Sequence, residues 1–230
     1  MKIFILAGGF GTRLRSVVSD LPKPMAPVNG LPFLEYQIKE VRKFYPNTII
    51  YLLTHYLSEK IEEHFKMDPL VEIIKEDQAL GTGGSINNAL KLLNCSQYES
   101  LLVLNGDTYI KPDLETFIYN ATSDVNLIGS LQYDCSRYGI LTIENNVVIK
   151  FHEKESGVKD SYINAGCYFF KSLAFFDDIK EVSFSIETKF ENYLDMGKDI
   201  GIYRYNDIFI DIGIPEDYRK MQEYIGGNNE

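Results

Sequence analysis

KIFILAGGFGTRLRSVVSDLPKPM, residues 2–25, decides the fold. Its opening run KIFILAG (2–8) reads as a buried strand, and that strand empties into a glycine-rich loop carrying Arg13, Arg15 and Lys23. Glycine reaches backbone conformations closed to other residues and lets an anion approach the N–H groups, so a loop of this kind can cradle phosphate. Arg13 adds a planar fork for phosphate oxygens and Lys23 a point charge. Between residues 11 and 24 three cations face one anion, Asp20, whereas the whole 230-residue chain carries a net charge of -10. Local charge opposes global charge, and a polyanionic ligand is expected here.

Working outward, apolar runs alternate with helical periodicity through the first half. Strands are predicted at 2–8, 48–55, 71–76, 100–106 and 125–131, with helices at roughly 32–45, 57–66, 84–93 and 113–121 between them. That alternation predicts βαβ units and a mainly parallel sheet. The second half reads differently. YGILTIENNVVIKFHEK holds two alternating strands around Asn145-Asn146, a hairpin signal because asparagine tolerates positive φ. A strand at 162–171, a helix near 185–196, strands in DIGIYRYND and DIFIDIG, and a helix in PEDYRKMQEYI follow. With no repeat or Pro/Ser-rich linker, this predicts one α/β domain over 1–225, divided at about 122, whose antiparallel elaboration completes a cleft; the tail 226–230 is expected to fray.

Composition removes several classes. Lysine and arginine number 23 against 33 acidic residues, which argues against a general nucleic-acid surface. No apolar run reaches the roughly eighteen residues of a membrane span, and MKIFILAGG is too short for a signal peptide. Cys95, Cys135 and Cys167 are odd in number and lack metal-site spacing, which suits a reduced, cytoplasmic protein. The 45% of hydrophobic residues suffices for a sizeable core, but nothing decides between a monomer and a homodimer.

Counting excludes two phosphate motifs. GxxxxGK[ST] is absent, and GxGxxG fails because counting from Gly9 and Gly11 puts Leu14 where the third glycine belongs, which weakens a nicotinamide-dependent reading. Other candidates sit at strand ends. Asp107 follows LLVLNG and Asp211 follows IFI, at the edge where open α/β sheets present ligand crevices. Such a pair could hold magnesium, a hard ion that takes oxygen ligands and shares substrate phosphates, although the 104 positions between them leave the fold to unite them. EDQALGTGG (76–84) is a second glycine cluster, with Glu76 and Gln78 able to meet a base edge, Thr82 available to cap, and glycines that would let a flat ring lie close. FHEK supplies Glu153 and Lys154, and INAG supplies Asn164. His55, His64 and His152 show neither triad nor metal spacing and are read as structural or solvated.

Taken in order, LAGGFGTRL, PKPM, LGTGGS, NGDT, RYG, HEK, INAG and FIDIG resemble the sugar-1-phosphate nucleotidylyltransferases, also called nucleotide-sugar pyrophosphorylases, from residue 1 to about 225. PKPMAPVNGLPFLEY, LGTGGSI, FSIETKFENYL and FIDIGIPEDY look most like the branch that transfers guanylyl to a manno-configured heptose 1-phosphate. Relatives acting on mannose, glucose or N-acetylmuramate 1-phosphate share much of the pattern. The resemblance implies a Rossmann-like nucleotidyltransferase domain, a mixed, mainly parallel sheet flanked by helices with a smaller antiparallel sugar-binding part, and the reaction of an NTP with a sugar 1-phosphate to give NDP-sugar and pyrophosphate.

Carried over by position, the resemblance implies that Leu6, Ala7, Gly8, Gly9, Gly11, Thr12, Arg13, Asn105 and Gly106 border the nucleotide, with Arg13, Lys23 and Asp107 catalytic. Glu76, Gln78, Gly81 and Thr82 would address the base, and Asp107 with Asp211 would hold Mg2+. Tyr138, Gly139, Glu153, Lys154, Asn164 and Gly166 would line the sugar-phosphate side. Glu76 stands where thymidylyl and uridylyl relatives frequently carry glutamine; a carboxylate there can accept from N1–H and the N2 amine of guanine. A binding protein without catalysis would be free to lose Arg13, Lys23 or an aspartate, and all are present.

Overall fold

The strand that opens the chain, β1 (Lys2–Leu6), is buried at Ile3, Phe4 and Ile5, as its apolar run predicts. The computed structural model describes residues 1–154, 157–177 and 179–227. Two compact units interleave along the sequence. The first takes Ile3–Ala79, Asn105–Lys111 and the chain from Ile208 onward; the second takes Met1–Lys2, Leu80–Leu104 and Pro112–Asp207.

In the first unit β1 pairs in parallel with β4 (Ile50–Thr54), which pairs in parallel with β5 (Val71–Lys75), in the registers Ile3↔Ile50 and Ile50↔Val71. β4 is buried at every position, the pattern of a strand covered on both faces. A short hairpin, β2 (Pro27–Val28) with β3 (Leu31–Pro32), leads into α1 (Phe33–Arg42), and α2 (Ser58–Phe65) connects β4 to β5. Two short strands absent from the sequence reading as a pair, β7 (Thr108–Ile110) and β13 (Phe209–Asp211), form an antiparallel ladder in which Asp211 faces Thr108. Phe33, Tyr109, Ile210, Ile212 and Met221 pack beneath that ladder with the final helix α6 (Pro215–Gly227). Each fully buried side chain of this size stabilises by about 1.5–3 kcal/mol. Gly226 and Gly227 continue α6; the remainder of the expected tail, 228–230, lies outside the described residues.

The second unit carries β6 (Leu101–Asn105), β8 (Val125–Asp134), β9 (Gly139–Glu144), β10 (Val147–Lys154), β11 (Lys159–Phe170) and β12 (Ile200–Tyr205). β11 pairs antiparallel with β6 and β8, β12 pairs parallel with β8, and β10 joins β12 to β9 by antiparallel pairing. The sheet of this unit is therefore mixed, and the parallel character expected of the chain resides mainly in the first unit. Asn145 and Asn146 have φ of 47° and 64°, so the β9–β10 hairpin turns in the primed geometry its two asparagines predict. The helices are α3 (Gly81–Leu92), α4 (Leu114–Tyr119) and α5 (Ile186–Asp195), and Phe170, Phe175 and Phe190 fill the space between elements. α3 starts three residues earlier than its expected start at 84, with its glycines inside the first turn. Among the described residues no helix is long and apolar enough to cross a membrane.

Candidate active site

The glycine loop leaves β1 with Ala7 N–H donating to Leu53 O at 2.8 Å, then turns at Gly11, whose φ is +58°. A Cβ at position 11 would stand 2.9 Å from Cβ of Lys23, so both conformation and space demand glycine there. Arg13 and Thr12 follow, exposed, in a 3₁₀ turn (Thr12–Leu14) anchored by buried Leu14. Lys23 opens a second 3₁₀ turn between Pro22 and Pro24, and its side chain is only 8% exposed.

The β7–β13 ladder performs the union that sequence distance left open. Lys23 Nζ donates to Oδ2 of Asp107 at 2.7 Å and to Oδ1 of Asp211 at 3.1 Å. Asp107 also accepts from its neighbour's hydroxyl, Thr108 Oγ1, at 3.3 Å, and Asp211 Oδ1 accepts from Gly213 N–H at 2.8 Å. Two carboxylates against one ammonium leave this cluster with one excess negative charge, which attracts a further cation. Asn105 and Gly106 form the approach to Asp107. Gly106 N–H donates to Leu6 O at 2.9 Å, and a Cβ on Gly106 would lie 2.5 Å from that oxygen.

Glu76 directly follows β5 and is 6% exposed; its backbone carbonyl accepts from His55 Nδ1 at 3.1 Å. Gln78 is exposed two residues on. The three histidines behave as structural groups: His55 holds the Glu76 backbone, His64 pairs with Glu35 at 2.9 Å, and His152 with Thr142 Oγ1 at 2.7 Å.

Gly81 and Thr82 belong to the second unit, and here the close approach that glycine permits is made by protein. Added Cβ atoms at Gly81, Gly83 and Gly84 would lie 2.6 Å from Phe184 O, 2.2 Å from the Phe184 ring and 2.5 Å from Val182 O. Gly83 N–H and Gly84 N–H both donate to Phe184 O. Thr82 does cap a helix, but it is α5: its hydroxyl accepts from Ile186 N–H at 2.9 Å and donates to Glu187 Oε2 at 3.3 Å.

The residues expected on the sugar-phosphate side gather on adjacent strands. Gly139 lies opposite Lys154 in the β9–β10 register, Ile140 pairs with Ile163, and Tyr138 and Glu153 are the chain neighbours of that first pair. Asn164 Oδ1 accepts from Gly166 N–H at 3.0 Å, while Gly166 adopts φ of +69° in an irregular stretch of β11. Asn164 Nδ2 donates to the hydroxyl of Tyr168 at 2.9 Å, and that hydroxyl donates to Glu187 Oε1 at 3.5 Å. Burial, and then the negative charge of Glu187, push the Tyr168 phenol well above its ordinary pKa. Sequence reasoning missed Tyr168 and Glu187, and also Gln37 beneath Asp107; a glutamine inside the apolar stripe of α1 was the signal available for the last.

The sequence matches a family model described as nucleotidyl transferase over residues 2–226. It is 40% identical over 223 residues to the D-glycero-alpha-D-manno-heptose 1-phosphate guanylyltransferase of Campylobacter jejuni, across 95% of this chain and 97% of that protein. Identity to the enzyme of the same name from Aneurinibacillus thermoaerophilus is 35%, across 97% of each chain. The crystal structure of HddC from Yersinia pseudotuberculosis complexed with GMP-PN matches with a TM-score of 0.83 at 36% identity, covering 97% of this chain and 99% of that one.

Proposed function

We propose, on the premise that the chain belongs to the nucleotidyl transferase family, that it transfers guanylyl from GTP to a manno-configured heptose 1-phosphate and releases pyrophosphate. The observation that carries this reading is the meeting of Lys23, Asp107 and Asp211 behind a glycine loop that presents Arg13. Relatives named for that reaction, at 40% and 35% identity over nearly the whole chain, support the choice of base and sugar. The product is an activated sugar for surface polysaccharide assembly.

In the reaction an oxygen of the sugar phosphate forms a bond to the α-phosphorus of GTP as the bond from that phosphorus to the β-phosphate oxygen breaks. The attacking phosphate is ionised near neutral pH, so no general base is required. The demand on the protein is to position two polyanions and offset their repulsion. Arg13 and Lys23 supply positive charge to the triphosphate. The backbone from Leu6 to Thr12, with Asn105 and Gly106, borders the nucleotide, and the buried Glu76 carboxylate accepts from guanine, with Gln78, Gly81 and Thr82 assigned to the same base. Tyr138, Gly139, Glu153, Lys154, Asn164 and Gly166 are assigned to the sugar phosphate.

Asp107 and Asp211 fit a divalent cation by the chemistry of their donors: two hard carboxylate oxygens converge on one point, which is the protein's usual share of a magnesium site completed by substrate phosphates and water. Among the described residues no cluster of three or more metal-ligating side chains occurs, so substrate would have to complete the shell. Bound there, Mg2+ would neutralise phosphate charge as the pyrophosphate departs. Cys95, Cys135 and Cys167 carry free thiols, which supports a reducing, cytoplasmic compartment.

The test is a matrix of GTP, UTP, CTP and dTTP against heptose, mannose and glucose 1-phosphates, scored by pyrophosphate. GTP with D-glycero-α-D-manno-heptose 1-phosphate is expected to lead. Preference for another base would overturn the guanylyl assignment, and silence across the matrix would overturn catalysis in favour of binding alone.

A further inference from the structure

The buried face of α1 consists of Phe33, Leu34, Ile38, Val41 and one amide, Gln37, which is 3% exposed. A buried amide is costly unless its hydrogen bonds are made. Gln37 Nε2 donates to the carbonyl of Asn105 at 2.7 Å and to the carbonyl of Thr108 at 2.6 Å, using both hydrogens. Its Oε1 is buried without a partner among the described residues. A methionine would fill the same stripe without stranding an oxygen, so whatever the amide contributes lies in those two bonds.

The two carbonyls it joins bracket Gly106 and Asp107. The turn between them is already closed by backbone, through Gly106 N–H to Leu6 O at 2.9 Å and Ile212 N–H to Asp107 O at 3.0 Å, and β7 is already held by its ladder with β13. Gln37 adds a side-chain clip at both ends of this turn, from which the Asp107 side chain projects. We infer that Gln37 is a positioning residue for Asp107, clipping both ends of the turn so that the carboxylate meets Asp211 where a divalent cation would sit. The inference rests on the metal assignment of the proposed function. Gln37 touches neither nucleotide nor sugar in this account and acts only through Asp107.

Binding of Mn2+ in the presence of GTP, without sugar phosphate, followed by electron paramagnetic resonance, reads this without turnover. Wild type, Gln37→Met, Asp107→Asn and the double variant are compared, with melting curves to establish folding. Gln37→Met is expected to weaken Mn2+ binding at least fivefold and Asp107→Asn more, and the double variant to match Asp107→Asn, because the clip has no carboxylate left to aim. Wild-type Mn2+ affinity in folded Gln37→Met, or an equal fivefold loss on adding it to Asp107→Asn, overturns the inference. If Gln37→Met does not fold, Gln37→Glu, which keeps the length and when protonated one donor, is expected to fall between wild type and Asp107→Asn; wild-type affinity there overturns the inference equally. A wild-type protein that binds no Mn2+ with GTP refutes the metal assignment itself, before any variant is compared.

Discussion

The ammonium of Lys23 lies 2.7 Å from the carboxylate of Asp107, and with Asp211 on its other side it stands where a metal ion would be placed by the same two acids. An internal cation in that position competes with an external one, and phosphate oxygens offer the lysine an alternative partner when nucleotide arrives. Removing it should therefore separate two properties. In Lys23→Met, Mn2+ affinity of the nucleotide-free protein is expected to rise about tenfold, near 1.4 kcal/mol, while pyrophosphate release falls more than about tenfold. Equal metal affinity in both proteins by calorimetry would show that the lysine does not hold the site.

Gly213 guards the same cluster from the other end. A methyl group at position 213 would lie 2.9 Å from Asp211 Oδ1 and 3.1 Å from Lys23 Nζ, both at the ends of side chains that can move aside. The displaced atoms are those assigned to metal and phosphate. Gly213→Ala is expected to leave the melting temperature within a few degrees of wild type while lowering kcat by about tenfold. A loss of stability in proportion to activity would mean that position 213 serves folding alone.

The loop, the strand ends and most elements were legible in the sequence because each depends on local pattern: a buried strand before Gly8, an Asn145-Asn146 turn, an apolar stripe on α1. Asp107 and Asp211 could be nominated singly, and a strand was expected in DIFIDIG, but their union depends on its pairing with β7, a three-residue strand too short to show a period. The Gly81–Gly84 cluster is a different case. Its glycines signal close approach, and the sequence cannot say of what; on the side where a Cβ would stand it is Val182–Phe184, from about a hundred residues away.

Glu76 offers a test of base choice. Glu76 is 6% exposed, and in the proposed role its carboxylate, an acceptor only, would meet the two donors of guanine. Glu76→Gln puts an amide donor against one of them. We expect kcat/KM for GTP to fall by at least about tenfold, a change near 1.4 kcal/mol, with a smaller change for nucleotides lacking those donors. A uniform loss across all four nucleotides would place Glu76 in the scaffold instead of against the base.

Tyr168 supplies a prediction about stability against pH that needs no substrate. At neutral pH its hydroxyl is bonded to Asn164 and Glu187 inside the second unit, and Tyr168→Phe should cost about 1–3 kcal/mol by leaving those half-buried groups short of a partner. Burial and the charge of Glu187 hold the folded phenol protonated well above pH 10, whereas the unfolded chain releases that proton near pH 10. The folded state then binds more protons than the unfolded one, so the contribution of Tyr168 is complete below pH 10 and declines as pH rises beyond it, by up to about 1.4 kcal/mol per unit. Phenylalanine has no proton to release. In paired urea titrations from pH 8 to pH 11 the stability gap between wild type and Tyr168→Phe should be constant up to about pH 10 and then narrow, the other tyrosines cancelling in the difference. A gap unchanged at pH 11 would mean that the phenol ionises as readily in the folded protein as in the unfolded chain, and the buried Tyr168 hydroxyl would then have to be open to water.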